Sequence, residues 1–205
     1  MKKLFAIILT LSLCLGAFAL AESKTVAPNP VEIDLTSPED GIYSASFEPS
    51  DLTEAEDGIA LTFHLFTLDT YDIVDISSLE VGDTIIVDGD PMEVSDIERK
   101  DGTVLINGGT YEDGWTLVAE DESNCYVVWD YDDLATYTDQ GAATLPLSQD
   151  LEYDDTSDPD QEVTATYTDI VETIQAMEDA DFGPYNTSIR IEGGAIVEID
   201  RRFQP

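Results

Sequence analysis

The sequence predicts a mainly β protein: a small barrel or sandwich built from a meander of short antiparallel strands. One helix at about 168–180 and a final β-hairpin make it α+β by strict count. Three observations predict this. Period-two apolar alternation recurs from residue 41 onward, with turn residues between the runs at about 8–12-residue spacing. After residue 21 the chain holds 15 Ile, 13 Val and 9 Tyr, residues that suit a pleated, half-buried surface and that disordered acidic chains lack. Only one segment carries a sustained 3.6-residue apolar period.

Residues 1–21 read as a signal peptide. Met1-Lys2-Lys3 is a basic head, Leu4 to Leu20 is predominantly apolar, and Ala19-Leu20-Ala21 sets small residues at the −3 and −1 positions, so cleavage is expected after Ala21. An uncleaved anchor is the alternative, but the run sits at the short end of a spanning helix. Leu11-Ser12-Leu13-Cys14 resembles a lipobox, except that Leu13 is not small. The expected product is secreted or extracytoplasmic, with no transmembrane segment in the mature chain.

Residues 22–40, with Pro28, Pro30 and Pro38, read as a flexible tether in which Val31 to Leu35 alternates briefly like an edge strand. Residues 41–205 read as a single β-rich domain, subdivided into a 41–130 strand meander and a 131–205 part with acidic loop, helix and hairpin. In the first part Tyr43, Ala45 and Phe47 share a face, as do Ile59, Leu61, Phe63 and Leu65, with His64 on the other face. Strands then recur through Thr84–Val87, Met92–Ile97, Thr103–Asn107, Trp115–Ala119 and Asn124–Trp129, divided by Asp88-Gly89-Asp90-Pro91, Lys100-Asp101-Gly102 and Asn107-Gly108-Gly109.

Asp130 to Glu162 is acidic and weakly periodic. Ala143–Leu147 reads as an edge strand because Pro146 lacks a ladder donor, and Asp154–Glu162 reads as a surface loop. Helix 168–180 places Ile170, Val171, Ile174 and Met177 in one stripe, with Thr166 or Thr168 as cap and Gly183-Pro184 as terminator. In the last hairpin, a three-residue loop Glu192-Gly193-Gly194 would pair Ile191 with Ala195 and Ile189 with Val197, keeping the apolar residues together.

The Leu79-Glu80-Val81-Gly82-Asp83-Thr84-Ile85 pattern resembles the strand-turn-strand element of many small β-barrels. The stretch from about 79 to 205, including Asn107-Gly108-Gly109 and Pro184-Tyr185-Asn186-Thr187, resembles uncharacterised secreted bacterial β-rich proteins. The resemblance implies export and a β-rich fold, and no chemistry.

The 205 residues carry 45 Asp and Glu against 8 Lys and Arg, a formal charge of −37. Binding to nucleic acid backbones or anionic membranes is disfavoured, since both require clustered bases. The sequence assigns no catalytic, cofactor-binding or metal-ligating residue. His64, the only histidine, lies in no nucleophile motif, and Cys125 sits in an apolar strand as a small hydrophobe would. Zinc lacks ligands and nucleotides lack a glycine-rich phosphate loop. For calcium, Asp130-Tyr131-Asp132-Asp133 and Asp154 to Asp160 are the densest acids, but neither has glycine at the sixth loop position. Arg190, Arg201 and Arg202 form the one basic cluster, read mainly as neutralising nearby acids. The sequon Asn186-Thr187-Ser188 is expected to carry no glycan in a bacterial product. The expectation is a non-enzymatic acidic module that binds a protein or small-molecule partner or has a structural role. Its alternatives are a carboxylate-dependent hydrolase and a calcium-binding adhesion-type domain.

Overall fold

A computed structural model describes residues 23–55, 58–120, 124–130, 134–177 and 180–203. The expected signal peptide lies outside the described residues, as do Tyr131, Asp132 and Asp133 of one acidic cluster. The first strands are β1 (Thr25–Val26), β2 (Gly41–Ser46), β3 (Leu52–Ala55), β4 (Gly58–Leu68) and β5 (Thr70–Asp72). Helix α1 (Ile73–Ser77) follows, then β6 (Thr84–Val87), β7 (Asp90–Glu93), β8 (Ile97–Lys100), β9 (Thr103–Ile106), β10 (Trp115–Glu120) and β11 (Cys125–Trp129). The last elements are β12 (Tyr137–Asp158), β13 (Gln161–Thr166), α2 (Ile170–Gln175), β14 (Thr187–Glu192) and β15 (Ala195–Arg202). The chain is mostly strand, as the alternation predicts, and no helix among the described residues is long and apolar enough to cross a membrane.

Strand pairing closes a ring. β2 pairs with β4, β4 with β12, β12 with β15, β15 with β14, and β14 with β2; β3 and β13 extend it. Strand β12 closes the ring by changing partners. Its first half, Tyr137–Pro146, runs antiparallel to β4; Leu147–Thr156 runs parallel to β15. Pro146 falls at the handover, where a missing N–H donor is tolerated, so Ala143–Leu147 lies inside the ring rather than at an edge. Ala143, Leu145, Leu147, Leu151 and Tyr153 face inward and join Leu61, Phe63, Leu65, Ile189, Ile191, Ile196 and Ile199 in one core, with Ile170 and Ile174 of α2 packed onto it.

Several expectations change. Asp154–Glu162 is not a surface loop: β12 and β13 form a hairpin there, with Asp155 opposite Val163. The alternation was obscured because the buried Asp155 occupies an inward slot. Helix α2 is shorter than 168–180, and Asp169, not a threonine, occupies its N-cap; α1 is an additional helix, capped by the Asp72 carboxylate on the Val74 N–H at 2.7 Å. Val31–Leu35 forms no strand, though Ile33 and Leu35 pack against the barrel core. The start of the 22–40 stretch is tied down: β1 pairs parallel with β6, Val26 is buried, and the Asn29 N–H donates to the Thr70 carbonyl.

The last hairpin also differs. Gly193-Gly194 is a two-residue turn, both residues with positive φ, pairing Glu192 with Ala195 and Ile191 with Ile196. A bulge then shifts the register, so Arg190 meets Glu198 and Ile189 meets Ile199. The extra residue restores the phase that a two-residue turn alone would lose, and Ile196 and Ile199 are both fully buried.

A second core is built from Val26, Tyr71, Ile76, Leu79, Ile85, Val87, Val94, Val104, Ile106, Leu117 and Val128. The sheet β5-β11-β10-β9-β8 and the sheet β1-β6-β7 supply it. Of the expected 41–130 meander, β5 to β11 form a unit inserted between β4 and β12, whereas β2, β3 and β4 belong to the barrel sheet. The break expected near 130 has a counterpart between Leu68 and Thr70. Asp83 anchors the inserted unit: its carboxylate accepts the N–H groups of Glu80 at 2.8 Å and Lys24 at 2.9 Å. The bonds from Glu80 and Lys24 hold its carboxyl below the usual range.

Ile199→Ala should destabilise the protein by about 2–5 kcal/mol, read by chemical denaturation. Deleting Val197 should be worse than its size implies, because it turns Ile199 outward; a variant that keeps wild-type cooperativity would refute the bulge's role.

Candidate functional site

The outer wall of the barrel carries the candidate site. On β2, Ile42 and Ser44 face outward, and Ile42 is 64% exposed. On one side of Ile42 lies a cleft of about 310 Å³, lined by Tyr137, Tyr185, Asn186 and the charged residues of β14 and β15. On the other lies a groove of about 870 Å³, lined by Val31, Ile33, Tyr43, Phe66 and Leu68 with Glu32, Asp34 and Glu39 among them.

The first cleft is walled by ion pairs. Arg190 Nη2 meets Glu198 Oε2 at 2.6 Å, and Arg202 donates through Nε and Nη2 to Asp200 Oδ2. Register puts Arg190 directly opposite Glu198. Arg190 Nε is buried and has no partner. The third arginine, Arg201, faces away from this cleft: Nη1 bonds buried Asp155 Oδ2 at 3.0 Å, Nε donates to the Asp181 carbonyl, and the guanidinium lies 5.0 Å from the Phe182 ring centroid. Phe182 stacks on Phe47 at 4.4 Å, so the 180–186 segment is clamped across the barrel.

The acid–base potential of this network is low. Burial pushes Asp155 upward, but bonds from Ser157, Arg201 and Tyr153 outweigh it and hold the carboxyl below the usual range. Burial, then Asp155, push the Tyr153 hydroxyl far above its ordinary value. One group is therefore fixed ionised and the other fixed protonated, whereas acid–base catalysis needs groups poised near the working pH.

Beside the clamp a cleft of about 660 Å³ is lined by Ser46, Glu48, Asp51, His64, Asp181 and Tyr185. His64 Nδ1 lies 2.8 Å from Asp139 Oδ2, both side chains about half exposed, and Ser46 stands opposite His64 in the β2–β4 register. Among the described residues no hydrogen bond joins the Ser46 hydroxyl to the ring; the His64 partner is Asp139. Asp139 was not anticipated; its signal is Gly141, which with Asp139 forms the β12 bulge that brings this carboxylate to His64. Cys125 is buried in β11 and does not line this cleft.

Described acids of the two candidate clusters engage the chain itself. Asp154 and Asp155 point to opposite faces of β12, and Asp158 binds the Asp160 N–H. Asp130 Oδ1 accepts the Leu134 N–H at 2.8 Å. Among the described residues no three acidic, His or Cys side chains converge to hold a metal. The sequon asparagine, Asn186, is engaged in folding, accepting the Gly183 N–H and donating to the Asp181 carbonyl. Comparison with protein-family models, curated proteins and solved structures yields no match.

Arg201→Met should cost about 3–5 kcal/mol by leaving Asp155 buried without its counter-charge, whereas Arg202→Met, at a guanidinium 73% exposed, should cost under about 1 kcal/mol. The stability from Asp155 is fully present above the ordinary carboxylate pKa and is lost as pH falls through its lowered native value. Arg201→Met should therefore shift acid unfolding to higher pH; an unchanged midpoint would contradict this assignment.

Proposed function

We propose that this chain is a non-enzymatic, acidic extracytoplasmic module that binds a partner through the β2 face around Ile42. The exposed Ile42 between an apolar groove and an arginine-lined cleft supports the reading most directly. Val31 and Leu68 add exposed apolar surface at 44% and 39%. Contiguous exposed apolar surface rimmed by polar residues marks interaction sites. The acidic rim of Glu32, Asp34 and Glu39 favours a partner that presents aliphatic side chains beside basic groups. The signal-peptide pattern of residues 1–21 supports export, and the pairing of each C-terminal arginine with a carboxylate supports a scaffold role for those bases.

Cross-linking in the source cell tests this. A photoreactive residue at position 42 should trap one partner, and the same residue at Glu98, on the edge of the inserted unit, should not. Ile42→Asp should weaken binding of that partner at least roughly tenfold. Equal labelling from both positions would overturn the reading. So would turnover of ester or glycoside substrates by the purified protein that is lost in His64→Ala.

A further inference from the structure

The junction between barrel and inserted unit holds a buried carboxyl group with no basic partner among the described residues. Asp69 joins β4 to β5 and continues the inward-facing series Leu61, Phe63 and Leu65, yet is only 2% exposed. Its Oδ1 accepts the Thr138 hydroxyl at 2.6 Å; its Oδ2 is buried without a partner. No ion pair among the described residues reaches it.

A second orphan stands beside it. The Asp69 N–H donates to the Thr136 carbonyl at 3.0 Å, continuing the register in which Leu68 faces Tyr137. Residues directly opposite on antiparallel strands share a face, with Cβ atoms about 4.5–5.5 Å apart. Thr136 is 9% exposed, and its Oγ1 also lacks a partner. Two residues on one face of this strand pair thus each carry a buried oxygen without a partner. Further acids gather nearby. Asp88, in the β6–β7 turn, has its carboxyl raised by burial and then by Asp69, Asp90 and Asp130. The field of Asp69 also reaches the Tyr71 hydroxyl, which donates to the Ile86 carbonyl beside that turn.

We propose that this seam binds a calcium-sized divalent cation, with Asp69 Oδ2 and Thr136 Oγ1 as its buried ligands and Asp88 supplying negative charge from the inserted unit. A carboxyl oxygen buried without a bond requires a partner. An all-oxygen set selects a hard cation. Few carboxylates with hydroxyl, carbonyl and water oxygens suit the flexible shell of calcium better than the strict octahedron of magnesium. The low carboxylate count, consistent with no three acids converging, places affinity in the roughly 10⁻⁴–10⁻³ M range of extracellular modules. The cation would join the two connections between the units, next to Leu68 and Tyr137, which line the groove and the cleft beside Ile42.

The test uses the exported protein. Its melting temperature should rise in millimolar calcium relative to chelator, and terbium should give luminescence sensitised by nearby Trp129 or Tyr71 that calcium quenches by displacement. Asp69→Asn should abolish both effects, and Asp154→Asn, on the outward face of β12, should preserve them. Thr136→Val, which leaves the carboxylate in place, should weaken calcium roughly tenfold and keeps the proposal testable if Asp69→Asn does not fold. No calcium-dependent shift, or a shift of wild-type size in Asp69→Asn or Thr136→Val, would overturn it.

Discussion

The barrel depends on one strand serving two partners. β12 must give its first half to β4 and its second to β15, and only then does a row of strands become a ring. An open sheet would leave unpaired N–H and C=O groups along β4 and β15; closure satisfies them. The same constraint explains irregularities that look like defects in isolation. The bulge between Asp139 and Gly141 bends the strand, Pro146 marks the handover, and the bulge in the last hairpin rephases β15 to keep its isoleucines inside.

A second constraint is charge. After residue 21 the chain has six bases to set against 45 acids, and the described bases hold the scaffold together. Arg201 and Arg202 meet the buried acids Asp155 and Asp200. Arg99 donates to the carbonyls of Ile76 and Leu79, and Lys24 to that of Asp75, so both complement the C-terminal end of α1. Asp83 does without a base because two backbone N–H groups serve it. Buried acids are therefore compensated by two different means, arginine pairing and backbone N–H groups, and Asp69 stands out against them.

Much of this was legible in the residues. The alternation of Ile59 to Leu65 and the turn glycines of the meander report local pairing, and local pairing is what period and turn chemistry encode. Strand β12 was not legible, because its inward row is interrupted between Leu147 and Leu151 and ends in Asp155. An aspartate on an inward slot reads as exposed until Arg201, 46 residues away, is known to face it. The hairpin register was misjudged for a related reason: a turn can be read from two glycines, but a bulge is set by the strands on either side. The candidate face was not singled out for a different reason: alternation sets Ile42 on the face opposite Tyr43, Ala45 and Phe47, but the groove and cleft beside it are built by segments distant in the chain.

The insertion has a consequence for how the chain assembles. His64 and Asp139 are 75 residues apart, a distance that makes their meeting entropically unfavourable in an open coil. Much of the inserted unit consists of neighbouring hairpins, β6 with β7 and β8 through β11 in turn, and local contacts of that kind form quickly. Once it has formed, Thr70 lies against Val127, and the ends of β4 and β12 emerge together. The smaller unit thus acts as a splint in the folded chain: its own long-range pair, β5 with β11, holds together the two ends from which β4 and β12 run.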